Sequence, residues 1–133
     1  MNIAIILSGG VGTRMGEACP KQYIKVAGKP IINYCVKTFC NNPRIDKIVI
    51  CLADEWRAFV EESLKDIVTT QSIIYSKPGR TRQFTIYNAL EKLESIGIAS
   101  DDVVIIHDAA RPLVSQQLID ACLDENRVCD GVL

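Results

Sequence analysis

Residues 2–16 read NIAIILSGGVGTRMG, a short apolar run that passes directly into a glycine-rich segment. A continuous apolar run such as residues 2–7 is typical of a strand buried on both faces of a parallel sheet. Four glycines fall within residues 9–16, where they let the backbone turn tightly and bring N–H groups against an anion. The stretch therefore predicts a parallel α/β fold with a ligand loop after its first strand.

The remainder of the chain alternates strand and helix patterns. Apolar runs predict three further strands, at residues 47–52, 72–75 and 103–106. Helical spacing predicts helices at residues 30–40, 55–67 and 83–96, and a last helix after a capping serine, Ser115. Strands separated by helices of roughly 10–15 residues predict an α/β, three-layer, Rossmann-like and mostly parallel sheet.

The helical spacing also predicts which side chains pack in the core. In the helix at residues 83–96 these are Phe84, Tyr87, Leu90 and Leu93. In the last helix they are Leu118, Ile119 and Cys122. Residues 131–133 read GVL, the pattern expected for the first residues of another buried strand. We therefore expect the chain to be a fragment of a longer protein, with a sheet that is incomplete at the C-terminus.

The overall composition is that of one globular domain, with 133 residues of which 48% are hydrophobic and 23% charged. Fifteen basic and sixteen acidic residues give a net charge of −1, which gives no support to a nucleic-acid-binding surface. No apolar run approaches the roughly 18 residues that a membrane span needs. No basic leader precedes the first strand, so we expect a cytoplasmic protein that does not bind membranes.

Six cysteines and one histidine show no metal-binding pattern. No CxxC pair is present, and His107 lies at zinc-ligand spacing from no cysteine. Most of the cysteines are therefore expected to be small buried side chains in a reducing compartment. Cys19 is the exception, because it lies within the ligand loop that follows the first strand.

The first loop carries two cations beside its glycines, Arg14 and Lys21. It is not a Walker loop, because the Gly28-Lys29 pair is followed by proline rather than by serine or threonine. The glycine spacing GxGxxxG also differs from a dinucleotide fingerprint. A tight structural turn alone would explain the glycines, but the two added cations favour phosphate binding.

The second loop, residues 76–85, reads SKPGRTRQFT and opens the third predicted helix. Gly79 permits close backbone approach, and a helix N-terminus favours negative charge. The basic residues Lys77, Arg80 and Arg82 also fit a plain solvated run. Their position at the carboxyl end of a strand favours the ligand interpretation.

The third loop, residues 107–112, reads HDAARP and follows the fourth predicted strand. Asp108 is well placed for a ribose hydroxyl or for a Mg²⁺ ion among phosphates, and Arg111 for a second phosphate. The alternative is an Asp–Arg pair that holds the loop closed. For His107 we expect a hydrogen-bond partner that positions the loop rather than a catalyst. The three loops are predicted to lie at neighbouring strand ends.

Together these segments resemble a known family. GGxGxRMG followed by PKQ, then residues 79–90 (GRTRQFTIYNAL), then HDAARP, are similar to the 2-C-methyl-D-erythritol 4-phosphate cytidylyltransferases. They also resemble the related D-ribitol-5-phosphate cytidylyltransferases of wall and capsule synthesis. HDAARP is closer to the methylerythritol branch, whereas Ser8-Gly9-Gly10 is closer to the ribitol branch.

The resemblance implies a role for each matched residue. Arg14 and Lys21 would stabilise the transition state, Asp108 would lie near Mg²⁺ and the ribose, and Asp108 and Arg111 would bind the polyol phosphate. The nucleotide CTP would be held by two loops and the start of the third. The residues implied in nucleotide binding are Leu7, Ser8, Gly9, Gly10, Gly12, Thr13, Gly79, Arg80, Arg82, Thr85, Asp108 and Ala109.

The resemblance further implies that residues 1–133 are the nucleotide-binding portion of one cytidylyltransferase domain. Family members continue for roughly another hundred residues, which carry further substrate contacts and an arm that joins two subunits. We therefore expect a homodimer in the full-length protein, and no turnover by the fragment alone.

The implied reaction is attack of a polyol phosphate on the α-phosphorus of CTP, with release of pyrophosphate. Three other classes remain as alternatives: a sugar-1-phosphate uridylyltransferase, a non-catalytic nucleotide-binding or dimerisation module, and a dinucleotide oxidoreductase. The first would not be expected to carry HDAARP, and the last is disfavoured by the glycine spacing. Methylerythritol phosphate is the substrate favoured over ribitol phosphate.

Overall fold

The computed structural model describes residues 1–10 and 19–132, and the fold is given for these residues. In chain order its elements are β1 (Asn2–Leu7), a 3-10 helix (Lys21–Tyr23), β2 (Lys25–Val26), β3 (Lys29–Pro30), α1 (Ile31–Cys40), β4 (Lys47–Cys51), α2 (Asp54–Leu64), β5 (Ser72–Ser76), α3 (Arg82–Glu94), β6 (Val103–Asp108) and α4 (Gln116–Glu125).

The described residues form one sheet of four parallel strands in the order β5-β4-β1-β6. This confirms the predicted α/β architecture. In the sheet register Leu7 lies opposite both Cys51 and Asp108, and Cys51 lies opposite Ser76. The carboxyl ends of all four strands are therefore level, and the loops that follow them meet at one edge.

Helices cover both faces of the sheet and give the predicted three layers. On one face Ala4 and Ile6 of β1 pack with the buried side chains of α1, α2 and α4. On the other face Ile3 and Ile5 pack with Ala89 and Leu93 of α3. All four of these β1 residues are completely buried. Burial of one isoleucine side chain contributes roughly 1.5–3 kcal/mol, so β1, an inner strand of the sheet, contributes strongly to the core.

The core side of α3 differs from the prediction. Thr85, Ala89 and Leu93 are buried, whereas Phe84, Tyr87 and Leu90 are exposed. The prediction was right for Leu93 and wrong for the other three. The buried residues follow the i, i+4, i+8 row, and the small side chains of Thr85 and Ala89 let the helix approach the sheet closely. The exposed row, spaced at i, i+3, i+6, is more hydrophobic but faces away.

The last helix shows the same kind of difference on a smaller scale. Ser115 caps α4 as predicted, since its hydroxyl accepts from the Leu118 N–H at 3.2 Å. Ile119 and Leu123 are buried, but Leu118 is exposed. Gly131 and Val132 are exposed and belong to no strand, so the strand predicted at residues 131–133 is not present in the described part.

A β-hairpin, β2 and β3, was not predicted. Its two-residue turn places Ala27 at φ 50° and Gly28 at φ 80°. Turns of this kind need positive φ at both central residues and usually read Asn-Gly or Asp-Gly. An alanine at the first position hides the turn signal in the sequence.

All six cysteines are free thiols. Cys35, Cys40 and Cys51 are buried as predicted, Cys19 and Cys122 are half-buried, and Cys129 is exposed. Burial raises the pKa of Cys35 and of Cys51 to about 12, so that these two thiols stay protonated and act as small apolar side chains. Within residues 1–10 and 19–132, no helix has the length and apolar character that a bilayer crossing requires.

Candidate functional site

A cavity of about 590 Å³ lies at the level carboxyl ends of the strands, and we call it the strand-end cavity. Ten residues predicted as site residues line it: Leu7, Gly9, Gly10, Lys21, Gly79, Arg80, Arg82, Thr85, Asp108 and Arg111. Three further residues line it that the sequence did not predict: Gln22, Thr81 and Ala110. All three predicted loops therefore contribute to one cavity.

The remaining predicted residues lie elsewhere or outside the described part. Ser8 is buried beside Gly9 and lines a smaller neighbouring cavity. Ala109 is buried, and its N–H donates to the Leu7 carbonyl at 2.9 Å, so it extends the pairing of β6 with β1. Gly12, Thr13 and Arg14 lie outside the described residues. Their roles stay predictions.

The loop after β5 reaches the cavity from the edge of the sheet. The three strand ends are not all neighbours as predicted, because β4 separates β5 from β1. The loop crosses this gap, and Pro78 comes to lie against Gly9. A Cβ added to Gly9 would lie only 2.3 Å from the Pro78 Cβ. This approach of the two loops therefore requires glycine at position 9.

Thr85 fixes the turn that leads from this loop into α3. Its hydroxyl accepts a hydrogen bond from the Gly79 N–H at 2.9 Å and donates to the Thr81 carbonyl at 3.0 Å. Thr81 caps the helix by accepting from the Phe84 N–H at 3.3 Å. A Cβ added to Gly79 would lie 2.4 Å from the Phe84 Cβ, so the tight turn leaves no room for a side chain. The N-terminus of α3 is thereby held at the cavity.

The charges that line the cavity are mostly positive. Among the lining residues that the structure describes, four are basic and one is a carboxylate: Lys21, Arg80, Arg82 and Arg111 against Asp108. Arg82 Nη2 lies 3.3 Å from Asp108 Oδ1, and Arg111 Nε lies 3.3 Å from Asp108 Oδ2. The Asp108–Arg111 pair that we considered within the third loop is present, and Arg82 adds a pair between loops. Such exposed pairs contribute about 0–1 kcal/mol each, so an anionic ligand displaces them at little cost.

His107 positions the third loop. Its Nε2 lies 2.9 Å from the Arg111 carbonyl oxygen, and its ring packs 5.4 Å from the ring of Phe39. Because a carbonyl oxygen only accepts, Nε2 carries a proton and donates it in this hydrogen bond. This contact confirms the expected hydrogen-bond role of His107.

The described start of the loop after β1, residues 8–10, which we call the glycine loop, is held by two side chains of the 3-10 helix. Gln22 Nε2 donates to the Ser8 and Gly10 carbonyls, both at 2.9 Å. The Tyr23 hydroxyl donates to the Ser8 carbonyl at 3.0 Å and accepts from the Ser8 hydroxyl at 2.8 Å. Burial raises the pKa of Tyr23 above its usual range, which keeps this hydroxyl a donor. Its ring stacks on Trp56 at 4.5 Å.

Of the lining residues that the structure describes, Asp108 is the carboxylate available to a cation. Among the described residues, no three His, Cys, Asp or Glu side chains come together as a metal cluster. Mg²⁺ at a nucleotide site is usually held by one or two carboxylates together with substrate phosphates. A single aspartate therefore fits a metal that arrives with a polyphosphate rather than one that the protein holds by itself.

A second cavity of similar size lies between the β2–β3 hairpin and α2, and we call it the hairpin cavity. Its volume is about 600 Å³. Its charged residues have both signs: Lys25, Lys29, Lys37, Glu62 and Asp66. None of the predicted site residues lines it.

The sequence of the chain is similar to that of a known protein family. Residues 2–133 match the family described as IspD, 2-C-methyl-D-erythritol 4-phosphate cytidylyltransferase. The chain belongs to the IspD family. The resemblance carried by the three loop motifs is thereby confirmed.

Curated relatives in this family have two names. The chain is 39% identical over 121 residues to the 2-C-methyl-D-erythritol 4-phosphate cytidylyltransferase of Clostridium beijerinckii, covering 91% of the chain and 51% of the relative. It is 37% identical over 123 residues to the ribitol-5-phosphate cytidylyltransferase of Streptococcus agalactiae serotype Ia, again covering 91% and 51%. The chain thus spans about half the length of these IspD-family relatives.

A solved structure supports the fold. The 4-diphosphocytidyl-2C-methyl-D-erythritol synthase of Anaerococcus prevotii superposes with a TM-score of 0.74 at 22% identity, covering 95% of the chain and 50% of that protein. At this identity the similarity shows the IspD-family fold alone.

Sequence reasoning missed Gln22 as a site residue, although it follows Lys21 directly in the PKQ motif. A buried amide whose partners are main-chain carbonyls leaves no periodic or charge signal. The only indication in the sequence was that Gln22 directly follows Pro20 and Lys21 in the PKQ motif.

Proposed function

We propose that the chain forms the CTP-binding part of a cytidylyltransferase that transfers CMP from CTP to a small polyol phosphate and releases pyrophosphate. The observation that supports this proposal best is the strand-end cavity, where four basic side chains of the described part of the chain lie near the carboxylate of Asp108. Membership of the IspD family, whose members are nucleotidyltransferases, narrows the reaction to cytidylyl transfer.

The chemistry of the reaction suits this set of side chains. The attacking group is a phosphate monoester, which is already ionised at pH 7 because its second pKa is about 6. No general base is needed, and the single histidine is engaged with the Arg111 carbonyl. The site must instead align two anions and neutralise the charge that develops on the leaving pyrophosphate.

Lys21 is the described residue that we assign to transition-state stabilisation, together with Arg14. Lys21 lies on the rim of the cavity, at the start of the 3-10 helix whose next two residues hold the glycine loop. The short helix that begins with Lys21 is therefore tied to the loop by hydrogen bonds. Mg²⁺, when bound with CTP, would supply further positive charge, and Asp108 is the side chain assigned to hold it.

Nucleotide binding is assigned to the two loops that Gly9 and Pro78 bring together. The glycine loop would contact the phosphates, and the turn between Gly79 and Thr85 would complete the cytidine pocket. Arg80 and Arg82 flank that turn at the N-terminus of α3, where the helix dipole also favours an anion. Arg111 is assigned to the phosphate of the acceptor.

We propose 2-C-methyl-D-erythritol 4-phosphate as the acceptor, as a precursor for isoprenoid synthesis, because HDAARP is closer to that branch of the family. D-ribitol 5-phosphate is the second candidate. Relatives of both names match the chain at similar identity, and the loop Ser8-Gly9-Gly10 favours the ribitol branch.

The test is pyrophosphate release by the complete protein from CTP, with each polyol phosphate in turn and with Mg²⁺ present. We expect release with CTP and methylerythritol phosphate, and at least tenfold lower kcat/KM with ribitol phosphate or with UTP in place of CTP. The reverse acceptor preference would assign the ribitol reaction. If CTP binds but pyrophosphate is released with neither acceptor, the protein would be a nucleotide-binding module without this transferase activity. A homodimer and a cytoplasmic location are further proposals that rest on the family.

A further inference from the structure

We infer that Gln22 is a positioning residue that turns the carbonyl oxygens of the glycine loop away from a bound polyphosphate. The inference deepens the proposed function, because it concerns how the same site receives the phosphates of its nucleotide. It rests on the hydrogen bonds of one buried amide and on the geometry of the peptide group.

The amide of Gln22 is placed to control the loop. The side chain is only 5% exposed, and its single amide nitrogen donates to the carbonyls of both Ser8 and Gly10. Both bonds are 2.9 Å long, so both amide hydrogens are used in good geometry. Within the described residues no other side chain is hydrogen-bonded to both of these carbonyls.

The Ser8 carbonyl is fixed on all sides. It accepts from Gln22 and from the Tyr23 hydroxyl, which uses both of its lone pairs. The Ser8 N–H donates to the Cys51 carbonyl at 2.8 Å, which anchors the residue to β4. The peptide plane between Ser8 and Gly9 therefore has one orientation.

That orientation has an electrostatic consequence. In a trans peptide the carbonyl and the N–H of the same plane point in opposite directions. A Ser8 carbonyl that points to Gln22 makes the Gly9 N–H point away from it, and this N–H donates to no described residue. Gln22 also holds the Gly10 carbonyl. This turns a second partial negative charge away from the side of the loop on which an anion would bind. The loop thus offers positive rather than negative dipoles before any ligand arrives.

An amide is the side chain that suits this task. Gln22 supplies two donors without adding a charge, whereas a carboxylate of the same shape would repel both carbonyls. Methionine has nearly the same length and volume but donates nothing. These two replacements separate the hydrogen bonds from the packing of the side chain.

The experiment compares Gln22→Met and Gln22→Glu with a matched control in the complete protein. The control is Gln116→Met, because Gln116 also donates to a backbone carbonyl, that of Thr38 at 2.8 Å, but lies outside the strand-end cavity. Calorimetry measures the affinity for pyrophosphate with Mg²⁺, and ligand-observed NMR measures the affinity for cytidine, which carries no phosphate.

We expect both Gln22 variants to bind pyrophosphate at least tenfold more weakly, with a change of at most threefold for cytidine. Gln116→Met should leave both affinities unchanged. Pyrophosphate binding within twofold of the unmodified protein, or equal losses for both ligands, would overturn the inference, since equal losses are the mark of a merely structural residue.

A second variant decides the question if the Gln22 variants fail to fold. Tyr23→Phe removes one donor to the Ser8 carbonyl and keeps the ring that stacks on Trp56. It should weaken pyrophosphate binding by a smaller factor, about threefold, again without a loss of affinity for cytidine. An unchanged pyrophosphate affinity would overturn the inference. Because pyrophosphate is the probe, the result does not depend on CTP as the substrate. Equal affinity of the unmodified protein for all nucleoside triphosphates would count against the proposed function alone.

Discussion

The strand-end cavity and the hairpin cavity have nearly the same volume, about 590 and 600 Å³, but they differ in what surrounds them. The first lies where four level strand ends bring three loops together, and its described lining residues include four basic side chains and one acidic one. The second lies beside a two-stranded hairpin and mixes basic and acidic side chains. Topology and the sign of the charge therefore identify the site, whereas size does not.

The largest difference between the two cavities is expected in the change of kcat when a lysine of each is replaced by alanine. In the complete protein Lys21→Ala should lower kcat by roughly 100-fold or more, about 2.7 kcal/mol of transition-state stabilisation, with KM for CTP changed by less than threefold. Lys25→Ala, in the hairpin cavity, is the matched control and should leave both constants unchanged. Steady-state kinetics with CTP as the varied substrate measures both. A near-normal kcat with a raised KM for Lys21→Ala would contradict its assignment to the transition state.

This contrast also shows what the sequence predicts well. The alternation of apolar runs and helical spacing predicted every strand of the main sheet, because strands of a parallel sheet covered on both faces are mostly apolar. Ten of the predicted site residues meet in the strand-end cavity, because loops after parallel strands share an edge. Local pattern and topology together are enough for this much.

The sequence predicts the structure poorly where two faces of a helix could be buried or where the position of a loop depends on the strand order. Phe84 and Tyr87 are more hydrophobic than Thr85 and Ala89, yet the small residues face the sheet because closeness of packing decides the orientation of α3. The crossing of the 77–81 loop over β4 depends on the strand order, which no local pattern encodes. Gln22 acts through main-chain carbonyls that only the folded loop brings within its reach.

The second largest effect concerns the approach of the two loops above the strand-end cavity. Gly9→Ala places a Cβ 2.3 Å from the Pro78 Cβ, so it should lower the free energy of unfolding by about 1–3 kcal/mol through overpacking. Gly10→Ala is the matched control, because an added Cβ there meets no described residue within 4 Å. Its effect should stay below about 0.5 kcal/mol. Chemical denaturation of both variants measures the difference, and equal stabilities would mean that the loops do not need this contact.

A smaller effect tests Asp108, the carboxylate that lies among the described basic side chains of the strand-end cavity. Asp108→Asn removes the charge that pairs with Arg82 and Arg111. Without Mg²⁺ the variant should bind pyrophosphate roughly threefold to tenfold more tightly, because the two arginines become available to the anion. The increase in affinity that Mg²⁺ gives to the unmodified protein should be lost. Stability should change by less than about 1 kcal/mol, because both pairs are exposed.

The control for this substitution is Asp54→Asn, since Asp54 pairs with Lys77 at 3.1 Å outside the cavity. Its pyrophosphate affinity should not change, with or without Mg²⁺. Calorimetric titration at two ionic strengths checks both variants, and the gain for Asp108→Asn should shrink at high salt. Weaker metal-free binding by Asp108→Asn would show that the carboxylate orders the arginines rather than competing for them.

The smallest effect lies in the hairpin that borders the other cavity. Ala27 holds φ 50°, a conformation that places its Cβ close to a backbone oxygen and that asparagine tolerates better. Ala27→Asn should therefore raise the free energy of unfolding by about 0.5–1 kcal/mol, and Ala27→Val should lower it by more than that amount, because a β-branched side chain fits this region worst. Thermal unfolding ranks the three proteins. Pyrophosphate affinity should be the same in all of them, because the hairpin turn contributes to no wall of the strand-end cavity, and a change in affinity would show that the two cavities communicate.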